Sequence, residues 1–185
     1  MRKINGKKVV SVLICVLLLS VFTACSQSES GDEFGYRSDI KVTKVTFEAP
    51  EGVEYDKETG SGVIENGDTA VYFNYWKSSE KNDYRYFDDF DEELCRGFEG
   101  KALEEVYGKT IDFEITRFDK FVIDDIPAYR FDEKYTVDGK DIVYTAIMVG
   151  ADEIYNFNYE QNGTVDYTEA IEESIKSIHF EYKEK

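Results

Sequence analysis

The chain has few of the residues from which most enzyme sites are built. Among its 185 residues there is one histidine, His179, and only three cysteines. A zinc site takes three or four His or Cys ligands, and a Ser–His–acid triad would have to use this one histidine. No glycine-rich phosphate loop is present either. We therefore predict no catalytic residue and no resident metal or cofactor, and we place His179 at the surface, at the end of the terminal helix.

The cysteines are limited further by their positions. Cys15 lies inside an apolar run near the start and Cys25 directly follows that run, which leaves Cys95 alone in the rest of the chain. One thiol cannot form an internal disulfide. Cys95 lies next to Leu94 in a helical pattern, which predicts a small buried apolar side chain rather than a nucleophile.

Basic residues are also scarce, with 22 Lys and Arg against 39 Asp and Glu. Without residues 1–24 the counts are 18 and 39, a formal charge of −21. Such a surface repels nucleic acid, so we predict no nucleic-acid partner. Most of the acids are expected on solvated faces, and the alternative is that some bind a cation or a cationic ligand. The acidic run at 88–93 lacks the alternating spacing of a calcium loop and is predicted to be a solvated helix face.

The first 25 residues have the three parts of an export signal. Arg2, Lys3, Lys7 and Lys8 form a basic start, residues 9–22 are apolar apart from two serines, and small residues precede Cys25. A small residue directly before a cysteine resembles the lipobox of bacterial lipoproteins, in which the cysteine is acylated and becomes the mature N-terminus. We therefore predict a signal peptide over 1–24 and lipidation at Cys25.

Two alternatives to lipidation remain for this segment. An ordinary cleaved signal would place the bulky Phe22 where a small residue is preferred. A membrane-spanning helix needs about 20 apolar residues, which is more than the run provides. The lipidated form predicts an extracytoplasmic protein held to a membrane by its acyl chains, since two or three chains anchor firmly where one does not.

The remainder divides into a tether and one domain. Residues 25–39 are rich in Ser, Gly and acids and predict a flexible tether, so the globular domain is expected over 40–185. Asn66-Gly67 and Asp138-Gly139 are hairpin signals between alternating segments. A bulge is expected after the clean alternation of Ile111, Phe113 and Ile115. Short strands with tight turns indicate an antiparallel sheet.

Two segments have helical periodicity. The first carries Phe87, Phe90, Leu94 and Phe98 on one stripe and is expected to weaken or break at Gly97 and Gly100. The second is expected to begin with Asp166 as its N-cap and Glu169 three residues later. The predicted fold class is therefore α+β, an antiparallel sheet of about six to seven strands packed by two helices.

The aromatic residues supply the candidate binding surface. They make up 15% of the chain, and the strand over 69–77 is apolar on both faces, which predicts a central strand covered on both sides. Core packing explains most of these side chains. The alternative is a sheet face that accepts a peptide or glycan by stacking, for which the candidate contacts are Tyr72, Trp76, Tyr155, Phe157 and Tyr159.

Three short motifs resemble a known family. These are Phe47-Glu48-Ala49-Pro50-Glu51-Gly52, Asp125-Ile126-Pro127-Ala128-Tyr129 and Ser174-Ile175-Lys176-Ser177-Ile178-His179-Phe180. They resemble the PsbP-like proteins, which include photosystem II extrinsic proteins and many bacterial lipoproteins, over about residues 42–182. The resemblance implies an α-β-α sandwich with binding or assembly roles and no shared catalytic residues.

Together these features predict a lipid-anchored, extracytoplasmic binding or assembly module of the cell envelope that is not an enzyme. Its expected partners are the membrane, reached through the lipid, and an envelope protein or wall glycan, and the domain is expected to be a monomer. The alternative is a hydrolase that uses paired carboxylates on cell-wall or peptide substrates, since the required spacing is spatial and not visible in sequence.

Overall fold

The computed structural model describes residues 34–78 and 86–185. The predicted signal peptide, the lipidation site Cys25 and residues 26–33 of the predicted tether lie outside the described residues. Neither helix defined below is long and apolar enough to cross a bilayer. The elements within the described ranges are β1 Ile40–Thr46, β2 Glu54–Asp56, β3 Ser61–Asn66, β4 Thr69–Ser78, α1 Glu92–Tyr107, β5 Phe113–Ile123, β6 Ile126–Val137, β7 Lys140–Gly150, β8 Ile154–Asn162, α2 Thr168–Lys176 and β9 His179–Glu184.

Seven of these strands form one antiparallel sheet in the order β2-β3-β4-β8-β7-β6-β5, and β1 pairs with β9 in a separate two-stranded sheet. The predicted α+β class with a sheet of six to seven antiparallel strands is confirmed. β4 lies third in the order, with β3 on one side and β8 on the other, which confirms that it is an inner strand.

Local turn chemistry fixes two of the hairpins. Asp138 and Gly139 have φ values of 51° and 77° and form the two-residue loop between β6 and β7, as expected for a turn that needs two left-handed residues. The hairpin predicted around Asn66-Gly67 is also confirmed. Its two-residue loop is Gly67-Asp68, with Gly67 at φ 66° and Asn66 paired with Thr69.

The β5–β6 hairpin uses a less usual pair of residues. Asp124 and Asp125 occupy its loop with φ values of 49° and 64°, and Ile123 pairs with Ile126. The expected bulge is present in β5, where the register shifts between Ile115 and Arg117.

Helices cover both faces of the large sheet. One apolar cluster contains Cys95 and Leu103 of α1 packed on Tyr129 and Phe131 of β6, and we call this side of the sheet the α1 face. The other cluster contains Ile171 of α2 and residues of β1 and β9 packed on β4, β7 and β8, and we call that side the α2 face. The arrangement is an α-β-α sandwich, as predicted.

The first helix differs from its prediction at both of its weak points. α1 is unbroken over 92–107, so the expected break at Gly97 and Gly100 is wrong. A glycine weakens a helix by about 1 kcal/mol relative to alanine, and burial of Cys95 and Leu103 on the sheet outweighs that loss. Phe87 and Phe90 of the predicted stripe are buried but precede α1, which Asp91 caps by accepting from the Leu94 N–H at 2.7 Å.

The second helix begins one residue later than predicted. Its N-cap position is Tyr167, which makes no side-chain capping bond, so the assignment of Asp166 as N-cap is wrong. Asp166 Oδ1 instead accepts from the Thr168 N–H at 2.8 Å, a local turn that precedes the helix. Within α2, Ser174 faces the core, where its Oγ lies 3.2 Å from Tyr159 Oη.

The chain before β1 packs against the domain over the part that is described. The Phe34 ring contacts Tyr129 at a centroid distance of 5.3 Å, and the Tyr36 N–H donates to Asp88 Oδ1 at 2.9 Å. The Arg37 N–H donates to the Gly150 carbonyl at 2.9 Å. Residues 34–37 thus belong to the folded domain, although the sequence places its boundary at 40.

Candidate functional site

The five aromatic residues predicted as ligand contacts lie on opposite faces of the sheet. Tyr155, Phe157 and Tyr159 alternate on β8 toward the α2 face and are 4%, 0% and 1% exposed. They are core residues, and a single binding face made of all five is therefore wrong. Tyr72 and Trp76 lie on the α1 face and are only half-buried, so a contact role stays a prediction for these two.

The α1 face changes from apolar to polar along the sheet. On β8 the residues that alternate with the core aromatics are Asn156, Asn158 and Glu160, which are all buried. Their partners across the ladder on β4 are Trp76, Asn74 and Tyr72, and paired residues in an antiparallel sheet point to the same face. The apolar cluster under α1 is built mainly on β5, β6 and β7, and the β4–β8 half of this face is polar.

Buried polar atoms without a hydrogen-bond partner are confined to this same face within the described part of the chain. They are Trp76 Nε1, Tyr129 Oη, Glu133 Oε2 and Asn162 Oδ1. Leaving such a group unpaired costs about 1–3 kcal/mol, so native structures retain few of them without a reason. Their concentration on one face makes the α1 face the candidate functional side of the sheet.

A cleft of about 420 Å³ opens on the α1 face at one end of the sheet. Val106 and Tyr107, at the end of α1, form one wall, and the β3–β4 hairpin forms the opposite wall. Tyr72, Glu160 and Asn162 lie at its floor. Asn162 Oδ1 is buried at this floor without a hydrogen-bond partner.

The charge around this cleft is predominantly negative. Its lining contains the carboxyls of Glu65, Asp68, Asp138 and Glu160 against one basic residue, Lys140. Clefts lined with one sign of charge concentrate ligands of the opposite sign. The cleft therefore suits an amine or another cationic group, and the rings of Tyr72 and Tyr107 provide aromatic surface for such a group.

A pair of buried carboxyls lies deeper between α1 and the sheet. Glu99 on α1 is 8% exposed and Glu133 on β6 is 1% exposed. Burial raises the pKa of Glu99 to about 7, because the low-dielectric interior disfavours the charged form. Burial also raises the pKa of Glu133, and the nearby carboxyls of Glu99 and Glu160 raise it further.

The two residues that could support nucleophilic chemistry lie apart from this cleft. Cys95 is fully buried on α1, as predicted, and burial raises the pKa of its thiol well above the usual value. His179 opens β9 rather than ending a helix, and its Nδ1 lies 2.7 Å from Asp124 Oδ2. That carboxylate also accepts from the Phe180 N–H at 2.7 Å, so the His179–Asp124 pair joins the β5–β6 turn to β9.

The acidic run before and within α1 is used for local structure. Asp88 accepts from the backbone of residue 36 and Asp91 caps α1. Asp88 lies in a helical turn at 86–88 and Glu92 and Glu93 begin α1, but Asp89 and Asp91 lie between the two, so the prediction of one continuous helix face is wrong for those two residues. Within residues 34–78 and 86–185 no group of three or more His, Cys, Asp or Glu side chains is arranged to hold a metal ion.

The α2 face carries a buried ion network that sequence reasoning missed. Arg130 on β6 is 7% exposed and forms two hydrogen bonds each to Asp132 and to Glu172 of α2, at 2.6–3.0 Å. Arg130 and Glu172 are 42 residues apart, so no local pattern indicates their pairing. The available signal was the charged run inside an apolar strand, because isolated charges are rarely buried unless paired.

No family model matches this chain, and no curated protein matches it in sequence. Among solved structures it is similar to LpqN of Mycobacterium tuberculosis, described as involved in cell envelope biogenesis, with a TM-score of 0.45 and 12% identity over 76% of this chain and 91% of that one. It is also similar to CyanoP, the cyanobacterial PsbP of Synechocystis, with a TM-score of 0.44 and 9% identity over 85% and 98% of the two chains. These values describe a likeness in the arrangement of elements alone.

Proposed function

We propose that this chain is a non-catalytic binding domain of the cell envelope, held at the outer face of a membrane by acyl chains on Cys25. The cleft beside the end of α1 is its binding site, and its ligand is an amine-bearing segment of a wall or envelope component. The observation that carries the proposal is the acidic, aromatic lining of this cleft on the one sheet face that also holds the unpartnered buried polar groups.

The shape and chemistry of the cleft support binding of a short chain segment. Its volume of about 420 Å³ lies at the small end of the range for ligand pockets. An ammonium group can approach Glu160 at the floor while Tyr72 packs along the attached chain, and the acids at the rim guide its approach. Such an interaction depends on charge, and we expect added salt to weaken it.

The absence of catalysis in this proposal rests on where the reactive groups lie. A substrate in the cleft would meet the carboxyls of Glu65, Asp68, Asp138 and Glu160. Glu133, whose pKa is raised by burial and nearby carboxyls, is 1% exposed and does not line the cleft. Glycoside hydrolysis needs two carboxyls that flank the same bond. The hydrolase alternative would have to take both carboxyls from the cleft lining, and Glu133 with its raised pKa could not serve as the acid there.

The anchor is tested by following fatty-acid incorporation in a bacterial host. We expect an alkyne-labelled fatty acid to be incorporated into the wild-type protein and not into Cys25→Ala, because only this thiol follows the lipobox-like residues. Cys15→Ala removes the other thiol of the segment and serves as the matched control, which should still be labelled. Labelling of Cys25→Ala would refute the anchor.

Binding is tested by calorimetry with the full-length protein in detergent and a mixture of muropeptides carrying free amines. The same muropeptides after N-acetylation are the matched control ligand, since they keep their shape and lose the positive charge. We expect Glu160→Gln to weaken binding about tenfold, which corresponds to about 1.4 kcal/mol, and Glu54→Gln on the distant β2 to leave it unchanged. Equal binding of acetylated and free muropeptides would overturn the amine assignment.

A further inference from the structure

The inward side of α1 carries a carboxyl where a helix of this kind normally carries an apolar residue. Its buried residues are Cys95, Glu99, Ala102 and Leu103. Cys95, Glu99 and Leu103 are spaced four apart, so they lie on one stripe of the helix, and Glu99 is its middle member. The packing of α1 on the sheet thus buries an acid at its centre.

The sheet presents further acids to Glu99. Glu133 on β6 is buried and its Oε2 has no hydrogen-bond partner. Across the sheet, Tyr144 of β7 lies opposite Glu133 on one side and opposite Glu160 of β8 on the other. Among the described residues, the other titratable groups around the Glu99–Glu133 pair include Cys95 and Tyr107 of α1, Tyr135 of β6 and Tyr144 of β7. Neither Glu99 nor Glu133 forms an ion pair with a described residue.

The Glu99–Glu133 pair is stable in the interior only while its carboxyls are largely protonated. Ionising one of them while it is buried requires a charge without counterion or water, and ionising two adds repulsion between them. When α1 separates from the sheet, water reaches the same groups and they ionise at their ordinary pKa. Protonation therefore favours the docked helix, and ionisation favours the separated one.

We propose that the buried Glu99–Glu133 pair makes the docking of α1 on the sheet dependent on protonation, so that α1 is held firmly in acid and separates more readily as the pH rises. Because Val106 and Tyr107 at the end of α1 form a wall of the cleft, separation also removes that wall. This consequence for ligand binding rests on the proposed function, whereas the behaviour of α1 does not.

The pH window follows from the two states of Glu99. Its pKa is about 7 in the folded domain against an ordinary value of 4.5. Below 4.5 the carboxyl is protonated in both states and has no effect. Between 4.5 and 7 only the separated state releases the proton, so docking weakens progressively, and above 7 the loss is complete and constant.

The thiol of Cys95 provides a direct measurement of α1 separation. It is buried on α1 one turn before Glu99, and a thiol reagent can reach it only when the helix leaves the sheet. The experiment uses the full chain with Cys15→Ser and Cys25→Ser, so that Cys95 is the sole thiol. Labelling rates are compared between this background and the same background with Glu99→Gln at pH 5 and pH 8, and the ratio of the two rates cancels the intrinsic pH dependence of the thiol.

We expect this ratio to rise roughly tenfold or more from pH 5 to pH 8, given the displacement of the pKa and its linkage to opening. Glu105→Gln, an exposed position on the same helix, removes an identical charge and should behave as the background does. If Glu99→Gln fails to fold by circular dichroism, Glu133→Gln takes its place. A ratio that stays constant with pH, or an equal effect of Glu105→Gln, overturns the proposal.

Amide hydrogen exchange distinguishes separation of α1 from unfolding of the whole domain. At pH 8 we expect the amides of α1 to exchange faster in the background than in Glu99→Gln, by a factor similar to that of the labelling rates. The amides of β8 should exchange equally in the two proteins. Equal acceleration in α1 and β8 would mean global unfolding and would refute separation of α1 as an independent step.

Discussion

The ion network of Arg130 allows a prediction that separates buried from exposed ion pairs in one protein. We consider Arg130→Met, which keeps most of the side-chain volume and removes the guanidinium that holds Asp132 and Glu172. Arg117→Met is the matched control. Arg117 forms an ion pair with Asp119 of the same strand, β5, and both side chains are about half exposed.

The expected size of the effect follows from burial. Removing one partner of a buried ion pair costs about 3–5 kcal/mol, because the remaining charge is left uncompensated. The Glu172 side chain is 32% exposed and the Asp132 side chain 16%, so water relieves part of this loss and we expect about 3 kcal/mol. For a domain of this size that corresponds to a decrease in Tm of about 6–12 °C. The exposed Arg117 pair should contribute about 1 kcal/mol or less.

The pH dependence gives an independent check. The hydrogen bonds from Arg130 lower the pKa of Glu172 below its ordinary value of 4.5. A carboxyl with a lowered pKa stabilises the folded state above its unfolded pKa, and this contribution is lost as the pH falls through the folded pKa. The difference between wild type and Arg130→Met, measured by urea unfolding and circular dichroism, should therefore shrink below pH 4.5. A loss no greater than that of Arg117→Met at pH 7 would refute the reasoning.

Three other substitutions test the packing and the turns by urea unfolding. Leu103→Ala should lower the free energy of unfolding by about 2–5 kcal/mol because Leu103 is 1% exposed. Leu94→Ala, at a half-buried position of the same helix, should lower it less. Equal decreases would contradict the assignment of Leu103 to the core. Phe34→Ala removes the ring contact with Tyr129 and should lower the free energy of unfolding by about 1 kcal/mol. An unchanged free energy would mean that residue 34 belongs to the tether and not to the folded domain. Asp125→Gly at a φ of 64° should raise stability by about 0.5–1 kcal/mol, and a decrease would show that the aspartate side chain is needed there.

Local patterns in the sequence predicted the elements well because their causes are local. Asp138-Gly139 supplies two left-handed residues at the loop itself, so the hairpin could be placed without knowing its surroundings. The Asp124-Asp125 loop has the same geometry but lacks a glycine, and aspartate reaches positive φ less readily. That turn could be recognised only in the structure, where Asp124 also accepts a bond from β9.

The α1 face, which holds the candidate site, was harder to predict because polar residues are buried on it. The alternation in β8 correctly separates Tyr155, Phe157 and Tyr159 from Asn156 and its neighbours. The rule that polar residues face water then directs attention to the aromatic side, which is the packed core. The closeness of Glu99 to Glu133 depends on how α1 crosses the sheet, and the chain between them is 34 residues long, so no local pattern could indicate it.

The pairing of β1 with β9 determines where the described chain enters and leaves the domain. Arg37 bonds to Gly150 at one end of β7, and the Lys185 N–H bonds to Asp39 at the same place, so the two ends of the described chain meet there. The cleft is lined by Lys140 at the other end of the same strand. Eleven residues of strand separate the two points, which is on the order of 30 Å.

With the proposed anchor at Cys25, the chain would enter the domain at the end opposite the cleft. The position of the carboxyl end has a practical consequence, since a tag or fusion partner placed after Lys185 would emerge beside the lipid and stay clear of the cleft. Under the proposed anchor, the cleft would stay accessible to material that lies on the side of the domain away from the membrane.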